Sequence, residues 1–139
     1  MFLTYIPFKF YKLAFDQFIY KVKKLAIVEE DSDAREMSAF TFENSGYEVF
    51  RCKKETALED IGRIRPHIVV VGDQLGNTSG NDLCAKLKSN AQTGQIPIIL
   101  YSPTKTVDEI SKCGCADGYV AKPMQLDDFV YLVHRISLS

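Results

Sequence analysis

Four places along this 139-residue chain carry side chains that could do chemistry, and each directly follows a short apolar run. They are Glu29-Glu30-Asp31, Gly72-Asp73, Ser102 and Lys122-Pro123. Carboxylate, hydroxyl and ammonium groups bind charged ligands, but a wholly acidic loop has no donor for an anion. The first loop therefore argues against a binding site for a flavin phosphate, and so against a flavin-dependent enzyme.

The apolar runs before these residues have the length and composition of β-strands. They are Leu25 to Glu29, Tyr47 to Cys52, Ile68 to Val71, Ile96 to Tyr101 and Tyr119 to Ala121. The third and fourth are continuously apolar, which is typical of parallel strands covered on both faces. The sequence therefore predicts five strands.

Helical patterns alternate with these strands. They span Asp33 to Ser45, beginning after Ser32 as a cap, then Glu55 to Ile64, Asn81 to Lys88, Val107 to Lys112 and Leu126 to Ile136. Alternation of strands and helices predicts βαβ units and a parallel sheet. In such a sheet, side chains that follow the strands meet in a crevice at the carboxyl edge.

The order of these motifs from about residue 23 to the C-terminus resembles the receiver domain of response regulators. The matching segments are Leu25 to Asp31, Gly46 to Val49, Ile96 to Ile99 and Ala116 to Pro123. The resemblance implies a flavodoxin-like, doubly wound α/β fold. Its five parallel strands run in the order 2-1-3-4-5, between two layers of helices.

In that family an acidic pair binds Mg²⁺, an Asp after the third strand accepts a phosphoryl group, and a hydroxyl and a lysine contact that group. The resemblance assigns the acidic pair to Glu29 and Glu30, the hydroxyl to Ser102 and the lysine to Lys122, with Pro123 after it. Tyr119 matches the aromatic residue that switches rotamer.

The phosphoacceptor position is the exception. Counting back from Gly80, which matches a glycine of the family, places Gly72 there. The neighbouring Asp73 is displaced by one residue, about 3.3 Å along the strand and toward the opposite face. Two glutamates in place of the family's usual aspartates also crowd a compact octahedral site. We therefore expect no bound metal, or at best weak Mg²⁺ binding at Glu29 and Glu30.

These departures predict a stand-alone receiver-like signalling module, not an enzyme, that binds proteins without phosphorylation and needs no cofactor. The alternative is a working phosphorelay receiver that uses Asp73 with Mg²⁺. Expected partners are a histidine kinase or an output protein, and a homodimer is compatible with the sequence. The family's interaction face corresponds here to Asp108, Lys112, Asp127, Asp128, Tyr131 and Arg135.

The charge and the cysteine content of the chain argue against some classes of partner and metal site and bear on its cellular location. The net charge is −1, so the chain lacks the basic footprint of a nucleic-acid-binding protein. The four cysteines show no paired zinc spacing, and no apolar run is long enough to span a bilayer. We expect a cytoplasmic protein with reduced thiols.

Residues 1 to 22 differ in composition from residues 23 to 139, which form the predicted receiver-type domain. The apolar residues Phe8, Tyr11, Phe15, Phe18 and Val22 recur at helical spacing between lysines. Three interpretations stay open: the segment docks on its own domain or a partner, it lies on an anionic membrane surface, or translation begins at Val22.

Overall fold

The computed structural model describes residues 22–121 and 125–138. Lys122, Pro123 and nearly all of the N-terminal extension, residues 1–21, lie outside this range, so the predictions made for them stay predictions. Within it, five parallel strands form one sheet. They are β1 Lys24–Val28, β2 Glu48–Cys52, β3 Ile68–Gly72, β4 Ile98–Tyr101 and β5 Gly118–Val120.

The sheet has the order β2-β1-β3-β4-β5, which confirms the order that the resemblance to the receiver family implied. Strand β1 lies between β2 and β3 and pairs with both, with Val28 beside Val71. Gly72 at the end of β3 is aligned with Tyr101 at the end of β4. The residues that follow β1, β3 and β4 therefore meet at one edge of the sheet.

Among the described residues, five α-helices connect and cover the strands. They are α1 Ser32–Asn44, α2 Ala57–Ile64, α3 Gly80–Ser89, α4 Val107–Ile110 and α5 Leu126–Ser137. A 3₁₀ turn, Lys54–Thr56, precedes α2, and another, Ser111–Cys113, follows α4. The predicted fourth helix is thus one α-turn continued as 3₁₀ helix.

Two apolar clusters lie on opposite faces of the sheet. One contains Ile61 of α2 and Leu83 of α3, packed on β1, β3 and β4. The other contains Phe42 of α1 and Phe129 of α5, whose rings meet edge to face with centroids 5.1 Å apart. Apolar residues that alternate along each strand supply both clusters, which is why the structure has three layers.

Two local features differ from the sequence-based expectation. The cap of α1 is Asp31, whose carboxylate accepts a hydrogen bond from the Ala34 N–H at 3.0 Å, and Ser32 already belongs to the helix. Between β3 and α3 the chain also forms a small antiparallel hairpin, Gln74–Leu75 with Thr78–Ser79, which the sequence did not predict. Both features lie beside the crevice.

Candidate functional site

The crevice at the carboxyl edge of the sheet brings together Glu29, Glu30, Gly72, Asp73 and Ser102. Gly72 ends β3, and the chain stays in register with β4 for one more residue, because the Asp73 N–H donates to the Tyr101 carbonyl at 2.9 Å. The carbonyl of Asp73 then accepts from the N–H of Gly80, the first residue of α3, at 2.8 Å. The loop after β3 is therefore fixed at both ends.

Glu29 occupies the space into which a side chain at position 72 would project. A β-carbon placed on Gly72 would overlap the Glu29 carboxylate. The Glu29 backbone carbonyl accepts from Arg35 at 3.1 Å, which fixes the segment from which this side chain extends. A carboxylate thus reaches the space in front of Gly72, but it comes from the residue after β1 instead of from β3.

The pKa of Glu29 is raised above its ordinary value, chiefly because burial disfavours the charged carboxylate. The negative charges of Asp31 and Asp73 act in the same direction, while the Tyr101 hydroxyl opposes the shift. That hydroxyl is fully buried and has no partner at full hydrogen-bond geometry within the described segments. Burial and the neighbouring Glu29 raise the pKa of Tyr101 in turn.

Glu30 points away from Glu29 toward Lys54. The Lys54 ammonium lies 3.9 Å from the Glu30 carboxylate and donates to the Leu75 carbonyl at 2.7 Å and to Asn77 at 3.1 Å. Lys54 therefore joins the end of β2 to the hairpin after β3. The sequence analysis missed this residue because nothing local marks a lysine that bridges two loops.

Asp73 is buried, with 8 % of its surface exposed, and forms an ion pair with Lys105 at 3.3 Å. Lys105 lies in the loop after β4 and was also missed by the sequence analysis. The sequence signal that could have identified Lys105 is its position three residues after Ser102. The pair neutralises Asp73 and directs its carboxylate toward the β4 side of the crevice.

Ser102 is fully buried, and its hydroxyl shapes its own loop. The oxygen accepts from the backbone N–H of Thr104 at 3.3 Å and of Lys105 at 3.0 Å. These bonds close a tight turn that positions Lys105 beside Asp73. Tyr119 of β5 is half-buried, and its hydroxyl accepts from the Ala116 N–H at 3.2 Å.

The carboxylates of the crevice face different neighbours. Glu29 lies over Gly72, Glu30 faces Lys54 and Asp73 faces Lys105, so each has its own neighbour. Across residues 22–121 and 125–138 there is no group of three His, Cys, Asp or Glu side chains that could hold a metal ion. Mg²⁺ binding by Glu29 and Glu30 would require their carboxylates to leave these neighbours and converge, so absent or weak Mg²⁺ binding stays a prediction.

The residues predicted for the interaction face are exposed on α4, the turn after it and α5. The set is Asp108, Lys112, Asp127, Asp128, Tyr131 and Arg135. Tyr131 has 66 % of its surface exposed. None of the helices within the described segments is long and apolar enough to cross a membrane.

Comparison with protein families gives a match to the response regulator receiver domain over residues 25–134. Among curated proteins, the polar-differentiation response regulator DivK of Brucella anthropi is 27 % identical over 111 residues, covering 78 % of this chain and 90 % of DivK. The phosphate regulon transcriptional regulatory protein PhoB of Pseudomonas aeruginosa is 30 % identical over 112 residues, or 78 % of this chain.

Coverage of some of these relatives is partial. The matched region is 48 % of PhoB, and it is 8 % of the adventurous-gliding motility protein Z of Myxococcus xanthus, which is 27 % identical over 121 residues, 82 % of this chain. The similarity therefore concerns one domain of those two proteins.

Solved structures give the same fold. A response regulator from Chloroflexus aurantiacus superposes with a TM-score of 0.77 at 28 % identity, covering 86 % of this chain and all of that one. The chemotaxis response regulator CheY4 of Vibrio cholerae superposes with a TM-score of 0.73 at 18 % identity, covering 84 % and 99 % of the two chains.

Proposed function

The chain belongs to the family of response regulator receiver domains, and from that membership we propose that it is a pseudo-receiver that binds signalling proteins without being phosphorylated. Receiver domains are signalling modules that interact with histidine kinases and output proteins. In this proposal the chain keeps the protein-binding role and lacks the phosphoryl-transfer chemistry. The module is then not an enzyme, and it acts in the cytoplasm without a cofactor.

The observation that carries the proposal is the relationship between Gly72 and Glu29. Gly72 has no side chain to accept a phosphoryl group, and the Glu29 carboxylate fills the space in front of it. The glutamate that follows β1 therefore occupies the space that an acceptor carboxylate would fill. Its negative charge also disfavours the approach of a phosphoryl donor, because like charges repel strongly where solvent is excluded.

Asp73 is the acceptor in the alternative hypothesis, and its surroundings disfavour that role. Its carboxylate is buried and engaged by Lys105. The Asp73 backbone is also held by Tyr101 and Gly80. Reactive geometry generally has to be held within about 0.5 Å, so moving the Asp73 carboxylate to the space in front of Gly72 would require breaking these contacts.

Without a phosphoryl group, no ligand energy is available at this site to shift the protein between two conformations. We therefore infer that partner binding is constitutive. The surface we assign to it is the exposed face of α4, β5 and α5, where Tyr131 and Arg135 have the character of interface anchors.

Treatment with acetyl phosphate and Mg²⁺, followed by intact-mass spectrometry, tests the proposal. We expect no mass increase. An unrelated receiver with its acceptor Asp, treated in parallel, shows that the donor is active. A phosphoryl adduct that disappears in Asp73→Asn would overturn the pseudo-receiver hypothesis and establish the working-receiver alternative.

A further inference from the structure

Two thiols lie close together where α3 meets the turn before β5. Cys84 is in the middle of α3 and is completely buried, and Cys115 is half-buried in the turn before β5. Both are free cysteines. Cys84 belongs to the apolar cluster on this face of the sheet, and Cys115 packs against that cluster.

The contacts of Asn81 indicate that the two sulfur atoms are near each other. The Cys115 sulfur lies 3.6 Å from the Asn81 carbonyl oxygen and 3.7 Å from its side-chain oxygen. Asn81 precedes Cys84 by three residues, and helical side chains lean back over the turn that precedes them. The Cys84 sulfur is therefore on the turn that Cys115 touches. Interaction with Cys115 also adds to burial in raising the pKa of Cys84.

We propose that Cys84 and Cys115 are a redox modification site, at which a hydroperoxide converts the two thiols into an intramolecular disulfide. A disulfide requires a sulfur–sulfur distance of about 2.05 Å. Rotation of the half-buried Cys115 side chain from the Asn81 carbonyl toward Cys84 supplies the approach.

The chemistry balances with hydrogen peroxide as the oxidant. Cys115 is the more accessible thiol, and after losing its proton it attacks one peroxide oxygen, so that the O–O bond breaks and a sulfenic acid and water result. The Cys84 sulfur then attacks the sulfenic sulfur, the S–O bond breaks, and the Cys84 proton leaves with the second water. Two thiols are oxidised and one peroxide is reduced to two waters.

The cross-link would constrain the part of the domain that contains the loop after β4. The chain between the two cysteines includes Ser102, Lys105 and α4, and Asn81 already donates to the Ile110 carbonyl at 3.4 Å. A covalent bond from α3 to the turn before β5 therefore fixes α4 between two anchored ends. Oxidation should slow local opening of this region.

Peroxide treatment of the full chain, with alkylation of the remaining thiols and peptide mapping under non-reducing conditions, tests the site. We expect a loss of two hydrogen atoms in mass and a linked pair of peptides containing Cys84 and Cys115, while Cys52 is alkylated. The Cys113→Ser variant should form the same link, which would show that Cys115, and not the nearby Cys113, is linked to Cys84.

Cys115→Ser should abolish the link, and because this position is half-buried the variant is expected to fold. Hydrogen exchange should be slower in α4 of the oxidised wild type than of the reduced protein, and unchanged by peroxide in Cys115→Ser. The proposal is wrong if Cys115 advances to sulfinic acid without linking to Cys84, or if Cys113 is the partner in the link.

Discussion

The carboxylate of Glu29 lies where a β-carbon on Gly72 would be, so any side chain at position 72 requires Glu29 to move. Glycine at 72 and glutamate at 29 are therefore structurally coupled. The overlapping atom is the end of a flexible side chain, so the conflict can be relieved by moving or shortening Glu29.

Restoring the acceptor is expected to require both positions. In Gly72→Asp alone, the new carboxylate competes with Glu29 for one space and two negative charges are forced together. In Gly72→Asp with Glu29→Asp, the shorter side chain withdraws and leaves room for the acceptor. We expect phosphorylation by acetyl phosphate and Mg²⁺ only in the double variant, measured by intact mass.

Asp73→Asn added to the double variant should leave that labelling intact, because the acceptor is now residue 72. Equal labelling of Gly72→Asp with and without the change at Glu29 would contradict the coupling. Circular dichroism and thermal unfolding of each variant establish that the domain is folded before labelling is compared.

Glu29 should also make stability depend on pH. Its pKa in the folded protein lies above the ordinary 4.5, so the folded state binds a proton more tightly than the unfolded state does. Between the two pKa values the free energy of unfolding therefore falls as pH rises, and the cost is complete above the folded pKa. Below 4.5 both states are protonated and the cost disappears.

Glu29→Gln removes this cost, so we expect the variant to be more stable than the wild type near pH 7 and to approach it in stability near pH 4. Urea unfolding at a series of pH values measures the difference. Glu48→Gln, at an exposed position in β2, controls for the general effect of losing a negative charge. A constant difference between Glu29→Gln and wild type across the series would refute the expectation.

The cap of α1 gives a matched pair of neighbouring variants. Asp31 accepts from the Ala34 N–H, whereas Ser32 lies inside the helix. We expect Asp31→Ala to lower the free energy of unfolding by about 1 kcal/mol, the usual value of an N-cap. Ser32→Ala should change it by less than about 0.5 kcal/mol. The opposite ranking in urea unfolding would show that the cap is Ser32.

The alternation of strands and helices could be predicted because each strand has a characteristic apolar composition and each crossover has helical periodicity, whereas the order of the strands came from the resemblance to the receiver family. Ile68 to Val71, for example, is unbroken by polar residues, as a strand buried on both faces must be. The spacing to Gly80 places Gly72 at the phosphoacceptor position, and that assignment stays a prediction. Both signals are local or depend only on distance along the chain.

The occupants of the crevice depend on contacts between distant segments, which sequence patterns do not report. Lys54 and Lys105 neutralise Glu30 and Asp73 from loops that become neighbours only when the sheet forms. The hairpin after β3 escaped notice because its two-residue strands are too short for a period of two to be visible. Asp31 and Ser32 are adjacent acceptable caps, and only the backbone geometry selects between them.

The proposed interaction face can be tested against a matched surface elsewhere on the domain. Tyr131 on α5 and Phe40 on α1 are exposed aromatic residues, at 66 % and 65 % of their surfaces, and they lie on different helices. Truncation of either removes a similar apolar area from solvent without opening the core. A partner that binds α4, β5 and α5 should therefore respond to Tyr131→Ala and not to Phe40→Ala.

We expect Tyr131→Ala, and separately Arg135→Glu, to weaken binding of a partner captured by the wild-type chain by about 1 to 2 kcal/mol, roughly 5- to 30-fold in dissociation constant. Asp73→Asn should leave the affinity unchanged, because binding does not depend on phosphorylation. Titration calorimetry with the purified partner measures all four variants. If affinity instead follows Phe40→Ala, or deletion of Met1 to Lys21, then α1 or the aromatic N-terminal segment is the binding element, and the assignment to α4, β5 and α5 is wrong.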